Sequence, residues 1–331
     1  MPLEGVIVER LQEHIFAQDR PFASCHASTL VALPGGRVLA AWFGGTQEGH
    51  PDVAIWGATR DAGWGPPRLL AKVRELPHWN PVLFAAPGGQ VHLFFKVGEN
   101  VPVWETWHAV SGDGGDTWSD PQPLVPEDVG GRGPVKNKPI VLSAGAWLAP
   151  ASLECQPPHR RWDVFVDRSE DEGRTWQASP LVPLDHASFS GAGAIQPTLW
   201  ESAPGQVHML VRTTGGYVGR SDSADGGRTW SPLRLTDLPN NNSGLDLARL
   251  PGGTLVLCYN PVSGNWAERT PLSLAISRDN GESWPRWLNL ETAPGEYSYP
   301  ALIPSGSGVA LTYTWRRERI AYWRLPVPGA G

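Results

Sequence analysis

An octet recurs four times along this chain at nearly constant spacing, and that regularity admits few folds. The copies read Ser-x-Asp-x-Gly-x-(Thr/Ser)-Trp, beginning at Ser111, Ser169, Ser223 and Ser277 and ending at Trp118, Trp176, Trp230 and Trp284. Their starts lie 58, 54 and 54 residues apart, and a worn copy, Thr59-Arg-Asp61-Ala-Gly63-Trp64, begins 52 residues before the first. Each copy reads as a hairpin turn. The Asp carboxylate accepts backbone N–H bonds within its own loop, the Gly supplies a φ > 0 position, and the Trp covers the apolar side.

Repeats of about 50 residues built from short strands are the mark of a propeller whose blades are four-stranded sheets. Dividing 331 residues by a period near 54 gives about six blades. The expectation is an all-β chain, a six-bladed β-propeller with Asp-box turns, and one domain over residues 1–331, because the repeats leave no room for a second. Gly 38 and Pro 33 punctuate alternating Val, Leu, Trp and Phe, which signals many turns and not disorder.

A formal charge of −6 argues against a nucleic-acid partner, since such binding rests on clustered Lys and Arg that neutralise phosphates. Met1 to Arg20 carries charges throughout and has no apolar run, so neither a signal peptide nor a membrane span is expected, and a cytoplasmic location follows. Cys25, Cys155 and Cys258 are odd in number and widely separated, which favours buried thiols over disulfides or a zinc site. Asn241-Asn242-Ser243 matches a glycosylation acceptor but reads as a polar loop.

Apolar strands mark the start of each blade: His26-Ala-Ser-Thr-Leu-Val, Asn80-Pro-Val-Leu-Phe, Lys138-Pro-Ile-Val-Leu, Gln196-Pro-Thr-Leu-Trp, Ser243-Gly-Leu-Asp-Leu and Tyr297-Ser-Tyr-Pro-Ala-Leu. Singly, a polar residue at such a place is a strand cap. Six of them, His26, Asn80, Lys138, Gln196, Asn242 and Tyr297, are expected to converge on a shared axial pocket. The strand that closes the ring is assigned to Arg319–Arg324 or to Val6-Ile-Val-Glu.

Two arginines stand shortly before octets, Arg212 by 11 residues and Arg269 by 8. An arginine ending an apolar strand is most often a surface snorkel, yet two guanidiniums across a pocket form a fork for a carboxylate. Strand alternation puts Tyr297 and Tyr299 on one face, with Glu296 and Ser298 on the other. Most tryptophans outside the octets read as inter-blade packing, but Trp79, beside Asn80, is the candidate platform for a sugar. The cationic run Thr312 to Arg319 reads as a solvated edge or as the source of a further pocket arginine, Arg316 or Arg317.

The Asp boxes, the two arginines and Glu296-Tyr297-Ser298-Tyr299 together resemble the sialidase (neuraminidase) superfamily, in particular its bacterial branch with BNR repeats, over almost the whole chain. The resemblance implies a six-bladed propeller, a three-arginine clamp on a substrate carboxylate, a tyrosine nucleophile with a glutamate base, and an acidic proton donor. By motif, Tyr297 resembles the nucleophile, and Arg212 and Arg269 resemble the second and third arginines. The acid/base falls in Thr46-Gln-Glu48-Gly-His50-Pro-Asp52, with Glu48 preferred over Asp52. Two positions depart from the pattern: Cys25-His26-Ala-Ser replaces the first arginine's motif, and Gln196 stands where the base glutamate belongs.

These departures leave three readings. A retaining exo-glycosidase would remove a terminal acidic sugar, its neutral phenol avoiding the repulsion that an anionic nucleophile meets from a carboxylate at the anomeric carbon. A lyase would use His26, with an ordinary pKa of about 6.5, or Tyr297 or Tyr299 to eliminate across a uronic acid glycoside. A propeller without catalysis would bind acidic glycans. Each takes an acidic carbohydrate as partner and needs no metal or organic cofactor. The remaining substrate contacts are expected from Asn80, Lys138, Asn242, Tyr299, Trp79 and Arg317.

Overall fold

A computed structural model describes residues 9–155, 158 and 160–329. Its strands fall into six antiparallel four-stranded sheets. A short strand, β1 (Leu11–His14), precedes blade one, which contains β2 (Ser24–Ala32), β3 (Val38–Gly45), β4 (Ala54–Arg60) and β5 (Arg68–Ala71). Blade two contains β6 (His78–Ala85), β7 (Val91–Val97), β8 (Glu105–Ser111) and β9 (Gln122–Pro123). Blade three contains β10 (Ile140–Val141), β11 (Trp147–Cys155), β12 (Arg161–Ser169) and β13 (Gln177–Ala178). Blade four contains β14 (Ala194–Ala203), β15 (Gln206–Thr213), β16 (Tyr217–Ser223) and β17 (Arg234–Pro239). Blade five contains β18 (Asp246–Arg249), β19 (Leu255–Tyr259), β20 (Leu272–Ser277) and β21 (Arg286–Glu291). Blade six contains β22 (Tyr297–Ser305), β23 (Gly308–Trp315) and β24 (Arg319–Pro326), and β1 completes it as the outermost strand.

Ring closure corrects one expectation. The added strand is Leu11–His14, paired Leu11↔Arg324 through His14↔Ala321, while Val6 to Val8 of the other candidate lie outside the described residues. Arg319–Arg324 takes part as the strand on which it pairs.

Each blade is apolar on both faces, so each meets its neighbours through a separate core. Leu39, Phe43, Leu83 and Phe95 fill the seam between blades one and two, and Leu274, Leu290, Leu302 and Trp323 fill the one between five and six. Arginines pin neighbouring blades together. Arg168 donates to the Gly226 carbonyl (2.6 Å) and Arg220 to that of Gly281 (2.8 Å), in each case the Asp box of the next blade.

The boxes fold as the octet implies. Asp113 Oδ1 accepts the Thr117 N–H (2.9 Å) and the Ser111 hydroxyl (2.7 Å), while Ser111 Oγ accepts the Gly115 N–H (2.7 Å). The same bonds recur at Asp171, Asp225 and Asp279. Hydrogen bonds from Thr175 and Ser169 pull the exposed Asp171 carboxyl down to about 2, the signature of a carboxylate used as a loop staple. The cysteines are free thiols. Cys25 and Cys258 are buried as expected, but Cys155 is exposed.

On the axis a buried carboxylate joins four blades. Asp246, 1% exposed, accepts bonds from Lys138 Nζ (2.8 Å), Thr198 Oγ1 (2.7 Å) and the Leu302 N–H (2.8 Å), drawn from blades three, four and six. Asp246→Ala would strand the Lys138 ammonium, and the expected loss is about 3–5 kcal/mol in urea unfolding.

Candidate active site on the propeller axis

Each blade has one non-glycine residue with positive φ at the start of its innermost strand or a few residues before it: Ala27 (54°), Asn80 (40°), Lys136 (65°), Gln196 (56°), Asn242 (58°) and Tyr299 (53°). In four blades it coincides with a β-bulge, where the ladder slips between His26 and Thr29, Trp79 and Val82, Ile195 and Thr198, and Ser298 and Ala301. A bulge adds a residue and re-aims its side chain. Asn80, Gln196 and Asn242 are the residues expected from the sequence, but in three blades the equivalent position is shifted, to Ala27, Lys136 and Tyr299.

The shift decides which phenol enters the pocket. Alternation predicts that Tyr297 and Tyr299 share a face, but the bulge between Ser298 and Ala301 breaks it. Tyr297 packs among Leu290, Leu311 and Trp323, and its hydroxyl receives Arg316 Nε (3.3 Å) and Nη2 (3.2 Å). Tyr299 takes the place expected for Tyr297. Its Oη receives Arg212 Nη1 at 2.7 Å and Gln196 Nε2 at 3.3 Å. Because Arg212 Nη1 also donates to Gln196 Oε1 (3.2 Å), the amide is oriented with its NH2 towards the phenol.

Two arginines contact Tyr299, and a third, Arg317, joins them through Glu296. Arg212 ends β15, and Asn242 Oδ1 receives its Nε at 2.7 Å. Arg269 stands in the β19–β20 loop with its guanidinium carbon 5.7 Å from the Tyr299 ring centre, and it donates to Glu296 Oε1 (2.7 Å). Arg317 donates to the same oxygen (2.8 Å) and bonds Glu48. It stands in a β23–β24 turn where Arg316 (φ 54°) and Arg317 (φ 60°) both adopt a left-handed backbone, strain that their side-chain contacts offset. Of the two arginines considered for the missing place, Arg317 joins the cluster, and Arg316 serves Tyr297.

The other expected residues divide. Glu48 is half-exposed and ion-paired with Arg317. Asp52 is spent on its own loop: Thr46 donates its N–H (3.1 Å) and hydroxyl (2.6 Å) to it, and His50 Nδ1 lies at 2.7 Å. Lys138 faces Asp246 and the Leu247 carbonyl (2.8 Å), which corrects its assignment as a substrate contact. Asn242 holds Arg212 with one amide end and meets Asn265 with the other (2.7 Å). Trp79 donates its indole N–H to the Gly98 carbonyl (3.0 Å), and its ring edge backs Gly49 in the Glu48 loop. Asn80 is buried at its bulge. Sequence reasoning missed Lys136, whose ammonium donates to Asn137 Oδ1 (2.8 Å) and the Leu245 carbonyl (2.9 Å), and bonds the Pro300 carbonyl just behind Tyr299.

Residues 36–311 match the family described as "BNR repeat-like domain". The chain belongs to this family. Among solved structures, the Hadza microbial sialidase Hz136 superposes with a TM-score of 0.80 at 17% identity, over 98% of this chain and 70% of that one. A Dyadobacter fermentans protein of unknown function gives 0.77 at 17% identity, over 97% and 99%. The Ruminococcus gnavus intramolecular trans-sialidase gives 0.72 at 16%, over 95% and 97%. Comparison with curated proteins finds no match. At these identities the likeness carries the fold alone.

Within this BNR-repeat propeller the site is strongly cationic. His26, its ring centre 4.2 Å from that of Tyr299, has its pKa held far below the ordinary value by burial and by Arg317, Arg269, Arg212 and Lys136. It is a neutral imidazole, with Nδ1 2.9 Å from Thr314 Oγ1. Burial also lowers Lys136 to about 7, against the opposing pull of Asp246. Burial depresses His78 to about 4 as well; its Nε2 accepts the Val73 N–H (2.9 Å).

Histidines kept neutral when folded bind fewer protons than they do unfolded, so stability is full above the unfolded pKa and falls as pH drops towards the folded value. Thermal or urea unfolding is expected to weaken below about pH 6.5, by up to about 1.4 kcal/mol per pH unit for each such histidine. His78→Gln should flatten that slope.

Proposed function

We propose that this chain is a retaining exo-glycosidase that removes a terminal acidic sugar, with Tyr299 as nucleophile. One observation supports this most: a phenol oxygen that receives N–H donors from Arg212 and Gln196, with Arg269 over its ring and Arg317 tied to Arg269 through Glu296. Arg212, Arg269 and Arg317 suit a carboxylate, which guanidiniums hold in paired bonds. A sugar with its carboxylate at the anomeric carbon repels an anionic nucleophile. A phenol that gives up its proton to solvent only as its oxygen bonds the anomeric carbon escapes that penalty, the N–H groups of Arg212 and Gln196 holding that oxygen meanwhile. Glu48, ion-paired with Arg317, protonates the departing oxygen and then activates water.

Glu296 occupies the clamp in the free protein. Burial works against its charge, but Arg317 and Arg269 outweigh that and hold its carboxyl below the usual range. A substrate carboxylate therefore shares or displaces this contact.

Tyr299→Phe is expected to lower turnover of acidic glycosides roughly 10³-fold or more, while Tyr297→Phe stays within a few-fold of the parent. A fluorogenic panel of sialosides, uronides and other 2-keto acid sugars measures both, and equal losses would refute the assignment. Gln196→Glu supplies a proton acceptor at the phenol and is expected to raise the rate on sialosides.

Gln196 and the neutral His26 favour a second reading, elimination across a uronic acid glycoside. There the arginines acidify the C–H beside the carboxylate and His26 or Tyr299 moves the proton. The same panel read by ultraviolet absorbance separates the two, because only elimination leaves a conjugated double bond.

A further inference from the structure

At the end of the ring away from the axial pocket, three side chains of blade four line up. β14 runs from Gln196, beside Tyr299, to Ser202, a span of about 20 Å at the rise of a strand. There the ladder slips between Glu201 and Ala203, so Ser202 is the extra residue of a bulge, a place that re-aims a side chain. His208 lies on the neighbouring strand opposite Trp200, and Asp222 lies opposite His208 on the strand after it. Ser202 Oγ stands 2.8 Å from His208 Nε2, and His208 Nδ1 stands 2.6 Å from Asp222 Oδ1.

The partners fix the proton positions. A carboxylate only accepts, so His208 Nδ1 carries the hydrogen towards Asp222, and Nε2 is left to accept from the Ser202 hydroxyl. Burial works against the charge of Asp222, but hydrogen bonds from His208 and Arg220 outweigh it and hold its carboxyl below the ordinary value. An anion therefore faces the imidazole. Trp200 stacks on the His208 ring with centres 4.9 Å apart, and its indole N–H donates to Asn280 Oδ1 at 2.8 Å. That turns the Asn280 amide nitrogen towards Nε2, at 3.2 Å. Packing does not require the serine's part in this network, because Ser202 is partly exposed and water can satisfy its hydroxyl.

We propose that Ser202, His208 and Asp222 form a hydrolytic site separate from the axial pocket, acting on short-chain carboxylic esters. The same geometry of serine, histidine and aspartate serves acyl transfer on unrelated folds. Ser202 Oγ bonds the ester carbonyl carbon as its proton passes to His208 Nε2, and the carbonyl π electrons move onto oxygen. A protonated Nε2 no longer accepts from Asn280, which frees that N–H for the new oxyanion. As the oxyanion collapses, the carbon–oxygen bond to the alcohol breaks and the departing oxygen takes the proton from His208. Water then attacks the acyl-serine, gives a proton to Nε2, and releases the carboxylic acid as Ser202 Oγ recovers that proton. The chain turns after Ser202 through Ala203, Pro204 and Gly205, so small side chains follow the hydroxyl and suit a short acyl group.

Two probes test the site on the full chain: a fluorophosphonate, whose P–F bond breaks as an activated serine oxygen bonds phosphorus, and p-nitrophenyl acetate. A single phosphonyl group mapped to Ser202 by peptide mass spectrometry is expected. Release of p-nitrophenolate is expected to run about 10²-fold faster than with Ser202→Ala. His208→Gln keeps the hydroxyl but removes the imidazole base, and should lose both readouts while still melting cooperatively. A parent chain that melts cooperatively yet takes no phosphonyl group would overturn the site, and that measurement needs no variant. So would labelling at another residue, ester turnover that survives Ser202→Ala, or labelling of Ser202 that survives His208→Gln. Cleavage of acidic glycosides should be equal in Ser202→Ala and the parent, because the reaction at Ser202 does not draw on the axial pocket.

Discussion

A single buried carboxylate, Asp246, ties blade five to blades three, four and six at once. Burying a charge is costly unless every lone pair is used, and Asp246 meets that condition only when blades three, four and six deliver Lys138, Thr198 and Leu302 to it at once. Lys136 and Asn137 act alike one step away: the first bonds the carbonyls of Leu245 and Pro300, the second those of Gln196 (3.1 Å) and Pro197 (3.0 Å). Correct assembly of the ring and correct placement of Gln196 and Tyr299 are therefore one condition.

The pocket above this network is built by repetition. A left-handed residue stands at or just before the start of each inner strand, and loops joining second to third strands bring Glu48, Arg269 and Arg317 to the same end. The Asp boxes end the third strands, which run parallel to the first, so they sit on the opposite end of the ring. Turn chemistry that stabilises the blades is thereby kept apart from the cationic cluster.

How much was legible in the sequence follows from this division. The octets declare the blades because each is a local turn whose bonds close within a few residues, and Arg212, Arg269 and Gln196 could be read from their neighbourhoods. Tyr299 could not be read from alternation, since alternation fails at a bulge. The missed signal is the proline that follows: Asn80-Pro-Val-Leu, Gln196-Pro-Thr-Leu and Tyr299-Pro-Ala-Leu align, and that register selects Tyr299 over Tyr297. Lys138 reads as a charge at a strand start, but its partner Asp246 lies 108 residues away and no local pattern announces it. The choice of Arg317 over Arg316 depends on a strained turn, which spacing does not encode.

Because Leu11 pairs with Arg324, the beginning and the end of the ring meet on one sheet at the outer rim. The blade at which the chain starts around the ring is then nearly arbitrary. A short peptide joining these neighbouring positions, with new termini opened in a connection between two other blades, would give a circularly permuted chain with the same cyclic sequence of sheets and the same axis.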